Sequence, residues 1–161
     1  IALSTAMLLV AILVVLSSFF MSFYSLVESS QSTAKLLAEN AVAALMFKDS
    51  ETAQTLLTSL SNTQEIQTAV IYSDEKIQFA KYSVADHPLP DTILSLAENS
   101  YSNIHFITII QPISFENRLL GGLYLEISLY PLYWQVLWQF FITIAAAIFA
   151  IVIAYRGGHR L

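Results

Sequence analysis

The side chains able to do chemistry are few and scattered. His87 sits in the loop-like VADHPLPD, before Pro88, and His105 in the apolar run NIHFITIIQPIS. There is no cysteine, and no H-x-x-x-H or C-x-x-C spacing, so no metal site is expected. A histidine titrates near neutrality, so pH sensing is the one role open to either ring, and nothing singles it out. Asp74 and Glu75 fall in the polar turn DEK, where solvent exposure rather than acid–base work is expected. Gly121-Gly122 lacks the glycine spacing and the following Lys-Ser/Thr of a phosphate loop. Paired glycines in a strand mark a bulge or a close backbone approach. No G-x-S-x-G elbow occurs, so neither a catalytic residue nor a cofactor is expected. Tyr72, Phe79 and Tyr82 remain as candidates to line a ligand cavity between sheet and helices. With Phe106, they are at a spacing that core residues also use.

The elements that would position such residues are dominated by two apolar runs. Between Glu126 and Arg156 there is no charged side chain over 29 residues. A bilayer core about 30 Å thick needs about 20 helical residues. Tyr130, Tyr133, Trp134 and Trp138 cluster at one end of this run as a membrane-interface belt, with Tyr155 and Arg156 at the other. Residues 1–27 carry no charge either, and their Ser and Thr hydroxyls can bond back to helix carbonyls. A cleaved signal peptide would have a basic start and an apolar stretch of only about 7–15 residues, so an uncleaved anchor is expected. The absence of a methionine at Ile1 suggests that a few residues precede it.

All 12 acidic residues lie within 28–130, against five basic ones, while the tail after the second run carries Arg156 and Arg160. Positive charge beside a span marks the cytoplasmic side, which puts both ends in the cytoplasm and the acidic middle outside. An acidic exterior argues against nucleic acid as a partner. The expected division is 1–27 as a first membrane helix, 28–130 as an external domain, 131–155 as a second membrane helix and 156–161 as a cytoplasmic stub.

The 28–130 segment is long enough for one small domain. No Pro or Gly interrupts the chain from the first span to about Lys48, so one helix of more than 40 residues is expected. Its positions Ala34, Leu37, Ala41, Ala44 and Leu45 recur at helical spacing and define a face for burial. Leu37, Ala41, Ala44 and Leu45 are the expected dimer contact. Asn40, within the same helix, is either a register-setting residue of a helix pair or an exposed one. Asp49 or Ser50 caps a short helix, TAQTLLTSL. IQTAVIYS and IQFAKYS form a hairpin, TILSLAEN a second short helix, and NIHFITIIQPIS with RLLGGLYLEISL a second hairpin. Four antiparallel strands with intervening helices indicate an α+β domain.

The chain resembles a known family at N-AVAAL-F-D (Asn40 to Asp49), A-IY (Ala69 to Tyr72), FA-Y (Phe79 to Tyr82) and PI-F---L-G-LYLE-SL (Pro112 to Leu129). These resemble the CHASE-type, PAS-like periplasmic sensor domains of membrane-bound bacterial signalling proteins, notably YfiN-type diguanylate cyclases and related histidine kinases. The resemblance implies a PAS-like antiparallel sheet packed on a long N-terminal helix, in a homodimer of the inner membrane. It also implies a cue, either a small molecule or a small periplasmic repressor protein. The output would be a cytoplasmic HAMP linker followed by a GGDEF cyclase or kinase core. The chain departs from the pattern at RGGHRL, where a linker would only be starting, and carries no output motif. Truncation or loss of the output domain is therefore expected.

The leading expectation is a transmembrane sensory input module. One rival is a membrane-anchored binding or scaffold protein of the cell envelope. Another is an all-helical chemoreceptor sensor, which the alternating runs near Ile66, Ile77, Ile104 and Leu119 disfavour.

Overall fold

The computed structural model describes residues 2–63, 65–84 and 99–158. Helix α1 (Ala2–Met46) is a single element of 45 residues, as the absence of Pro and Gly predicts. Its end is a Schellman turn. Lys48 takes the left-handed conformation (φ 53°), Asp49 N–H reaches Ala44 O at 2.8 Å and Lys48 N–H reaches Leu45 O at 3.2 Å. Asp49 then caps α2 (Ser50–Thr58), its carboxylate accepting from Thr52 N–H at 3.0 Å. One residue thus closes one helix and opens the next. A 3-10 turn over Ser59–Asn62 follows.

The sheet comprises β1 (Ile66–Ser73), β2 (Gln78–Ser83), β3 (Asn99–Ser102), β4 (Phe106–Phe115) and β5 (Arg118–Ser128). All pairings are antiparallel, in the order β2-β1-β5-β4-β3. Glu116 and Asn117, at φ 46° and 66°, make the two-residue turn between β4 and β5. This is an α+β fold, and the five-stranded sheet excludes the all-helical sensor. One strand more than expected is present. NSYS is short and polar, and it pairs with β4 from Asn99↔Ile110 to Ser102↔Ile107. The expected helix TILSLAEN lies outside the described residues, apart from Asn99, which opens β3.

The chain forms two compact units, 26–129 and the pair 1–25 with 130–161. In the first, one sheet face carries Ala69 and Ile71 of β1, Ile107, Ile109 and Ile113 of β4, and Leu123, Leu125 and Ile127 of β5, all buried. Gly121 shares this face by strand alternation. A Cβ there would collide with the Tyr72 carbonyl oxygen and lie 3.1 Å from Leu45 Cδ1, so strand β1 and helix α1 both close on that glycine. Here the glycine pair marks a close backbone approach. The expected buried face of α1 is observed, with Ala34, Leu37, Ala38, Ala41, Ala44 and Leu45 all buried. The edge strand β2 is capped by α2. Gln54 Nε2 donates to Lys81 O at 2.7 Å, and Lys81 N–H donates to Gln54 Oε1 at 3.2 Å, so the amide substitutes for a neighbouring strand.

In the second unit, α3 (Tyr130–Gly158) and α1 from Leu9 are each long and apolar enough to cross a membrane. Ser18 Oγ donates to Gln139 Oε1 at 2.9 Å, and the rings of Phe19 and Tyr133 stack at 6.4 Å with 7° between planes.

Candidate sensory surface and relay elements

The sheet face opposite the Gly121 face is the more polar one. Cross-strand register aligns Ser83, Thr68, Glu126 and Thr108 in one row through the pairs Thr68↔Ser83, Thr68↔Glu126 and Thr108↔Glu126. Thr68 and Thr108 are buried, and Glu126 is half-buried. Thr68 Oγ1 and Ser83 Oγ are 3.3 Å apart, and Tyr124 O–H donates to Glu126 Oε2 at 3.1 Å. One register step along, Val70 and Tyr72 form a fully buried cluster with Tyr124 packed against it. The row therefore offers hydroxyls and one carboxylate beside an aromatic patch. Of the row's residues only Glu126 and Ser83 are partly open to solvent, and the row lacks an activated nucleophile or a matched acid and base.

The expected cavity residues are not brought together. Tyr72 and Ala69 are three positions apart on β1, so their side chains point to opposite faces. Because Tyr82 pairs with Ala69, it lies on the α1-facing side, away from Tyr72. Phe79 sits where the β1–β2 register shifts, between the Ile71↔Ala80 and Tyr72↔Gln78 pairs. Tyr72 belongs to the polar-row face and Tyr82 does not. His105 is placed just before β4 rather than in it, exposed, with its carbonyl accepting from Leu129 N–H at 2.9 Å. His87 lies outside the described residues.

The expected dimer contact also changes. Leu37, Ala41, Ala44 and Leu45 are buried in a single copy of the chain, so they belong to the protomer's own core and not to a surface open to a second copy. Sequence periodicity identifies a face to be buried without naming what buries it. Its own sheet got there first. The residue missed is Glu126, whose neighbours follow only from strand register.

The sheet leads almost directly into α3. Strand β5 ends at Ser128 and α3 starts at Tyr130, with Leu129 between them held by its N–H to His105 O. The expected belt residues Tyr130, Tyr133, Trp134 and Trp138 all lie exposed in the first turns of α3.

Electrostatics at the α1–α2 junction are simple. The Thr52 hydroxyl, donating to Asp49 Oδ2 at 2.6 Å, and then the Thr52 backbone N–H hold the Asp49 carboxyl below its ordinary value.

Against known protein families, residues 24–126 match the CHASE8 periplasmic sensor domain. No curated protein matches the chain. The match covers well over half of the chain, which therefore belongs to the CHASE8 family of periplasmic sensor domains.

Proposed function

We propose that this CHASE8 sensor is the input half of a bacterial inner-membrane receptor. It takes a periplasmic cue and passes it through α1 and α3 to a cytoplasmic output, a HAMP linker with a GGDEF cyclase or a kinase core. The observation that carries this reading is continuity at both ends of the domain. Helix α1 runs without interruption from its apolar half into the sheet-packing half, and one residue separates β5 from α3. A cue that favours one of two sheet packings shifts both helices together. Shifts of about 1–2 Å are typical of such switching, and the coupling they carry is about 1–3 kcal/mol.

The polar row around Glu126 supports the sensory half of this reading, since it sets a carboxylate on β5, the strand that leads into α3. No catalytic constellation competes with it among the described residues. Both termini would face the cytoplasm, with 28–130 in the periplasm.

Reading the native coding frame beyond Leu161 tests the relay. A helical linker followed by an output domain is the expected result. An immediate stop codon would overturn it and leave a membrane-anchored binding protein. With an output domain present, four glycines inserted after Leu129 should disconnect the sensor. Output should then stop responding to substitution of Glu126, while the protein still reaches the membrane. An unchanged response would show that α3 does not carry the signal.

A further inference from the structure

Two of the sheet's turns have polar tips: Asp74, Glu75 and Lys76 between β1 and β2, and Glu116 and Asn117 between β4 and β5. Polar tips suit turns that face water. The turn between β3 and β4 is different. Asn103 N–H closes it by donating to Phe106 O at 2.8 Å, and Ile104 and His105 form its tip. Ile104 is 76% exposed there. Turn chemistry favours Gly, Asn, Asp or Ser at such a place, so the turn itself does not account for an isoleucine.

Placement does. The polar-tipped turns lie at the end of the sheet where β5 begins, and Ile104 lies at the end where β5 stops and α3 starts. His105 O accepts from Leu129 N–H at 2.9 Å, and Leu129 leads directly into Tyr130, the first residue of α3. With about 3.8 Å between consecutive Cα atoms, these links keep His105 within about 11 Å of Tyr130, at whatever angle α3 leaves the domain. Val84 repeats the arrangement on the other flank. It is 62% exposed, and its N–H donates to Gln67 O at 2.8 Å, beside the Ile66↔Ile127 pair. Strand order puts Ile104 and Val84 on opposite sides of β5, about 14 Å apart over three strand spacings.

Length decides how deep this rim sits. The α3 helix, with 29 residues, is about 44 Å long. A bilayer with its headgroups is about 40–45 Å thick. Tyr130 therefore falls at the outer edge of the headgroups, and the rim beside it meets headgroups rather than hydrocarbon. Glu65 fits that depth. It is exposed at the same end, its carbonyl accepting from Ser128 N–H at 2.8 Å, and a carboxylate is tolerated at headgroup level but not in hydrocarbon.

We infer that this rim, with Ile104 on one flank of β5 and Val84 on the other, rests on the headgroup layer of the bilayer that α3 enters. The partner is a lipid surface. The inference rests on the receptor reading in taking α3 as a span, and it adds a support for the relay. A sheet seated on both sides of β5 resists rocking about Leu129, so a change in sheet packing is delivered to α3 instead of being lost in a swing of the domain.

The chain has no cysteine, so an introduced thiol is the only labelling site. The full chain would be reconstituted in phosphatidylcholine vesicles containing a lipid with a nitroxide on its headgroup. A bimane fluorophore would be attached to Ile104→Cys, Val84→Cys or Ile77→Cys. Ile77 is the control, also apolar and 52% exposed, but bonded to Ser73 at the far end of the sheet. That end is about 23 Å along β5 from the join. The labels on Ile104→Cys and Val84→Cys should lose most of their emission to the nitroxide, and the label on Ile77→Cys almost none. Equal quenching at all three positions would overturn the inference, as would bright labels at both rim positions.

A further variant excludes attraction by the dye itself. With the bimane on Asn103→Cys, adding Ile104→Asp should reduce the quenching, and a value unmoved by Ile104→Asp would overturn the inference. All these positions are exposed, so the substitutions leave the core intact. A label on Phe141→Cys, within α3, separates the two possible failures. If a nitroxide on an acyl chain quenches it while the rim labels stay bright, the span stands and the rim contact is overturned. If it stays bright as well, the span is overturned and the rim contact with it.

Discussion

The outer half of α1 and the helix α3 are built from similar residue types but hide them in different places. Along α1, Ala34, Ala41 and Ala44 are at most 3% exposed, buried within the chain's own sensor domain. Along α3, Phe141, Ile142, Ile148 and Phe149 are all more than half exposed, and large apolar side chains occur around most of the helix. Both are driven by removal of apolar surface from water, at roughly 25 cal/mol per Å². For the first the sink is the sensor domain itself; for the second, on the proposed receptor reading, it is lipid. Packing precision should therefore matter greatly in the first region and little in the second.

Gly121 is the sharpest test of that contrast. A methyl group there has the Tyr72 carbonyl on one side and Leu45 on the other, and the carbonyl belongs to a paired strand that cannot step aside. Gly121→Ala should destabilise the sensor domain by about 1–3 kcal/mol, the usual cost of overpacking. Ala145→Val in α3 adds two methyl groups to an exposed position and should leave stability nearly unchanged. Denaturant unfolding of the full chain in micelles, followed by far-UV circular dichroism, measures both. Equal losses would break the comparison.

A smaller effect is expected at the α1–α2 junction, where Asp49 is a polar device in water. Its carboxyl is held below its ordinary value by Thr52, so the folded state favours the ionised form. The stability this gives is complete above the unfolded carboxyl's pKa, about 4, and is lost as pH falls through the lower folded value. Asp49→Asn keeps a capping oxygen but cannot titrate. The gap in melting temperature between the native chain and Asp49→Asn should therefore narrow as pH drops from 5 towards 2. A gap that is constant over that range would show that the charge on Asp49 plays no part.

Much of this architecture is legible in the sequence, and what is not legible has common physical causes. The length of α1 follows from the lack of helix breakers, and its buried face from three-and-four spacing, because both are local properties. What covers that face is not local. Periodicity gave Leu37, Ala41, Ala44 and Leu45 as a surface for a second copy, while the sheet that meets Leu45 at Gly121 is assembled from residues up to about 90 positions away. Strand β3 escaped notice because NSYS is polar, four residues long and at an edge, held only by pairing with β4. The trio Tyr72, Phe79 and Tyr82 fails as a cavity because the register of one hairpin decides which face each ring meets. Glu126 looks unremarkable in LYLEISL until register sets it between Thr68 and Thr108.

The smallest effect belongs to the polar pair in the apolar unit, Ser18 and Gln139. In hydrocarbon an unmet amide is expensive, which makes a bond of 2.9 Å look indispensable. The alternative state is also apolar, however, and there Ser18 can bond back to its own helix carbonyls. The glutamine is then replaceable. Gln139→Leu loses one hydrogen bond, gains apolar surface suited to lipid, and keeps the Phe19–Tyr133 stack, about 1.7 turns away along α3. Such interhelical bonds average about 0.6 kcal/mol, so unfolding of the full chain in a bilayer should change by no more than about that amount. A loss several times larger would mean that the α1–α3 pairing depends on a specific polar lock. In that case the membrane unit would be packed as exactingly as the Gly121 side of the sheet.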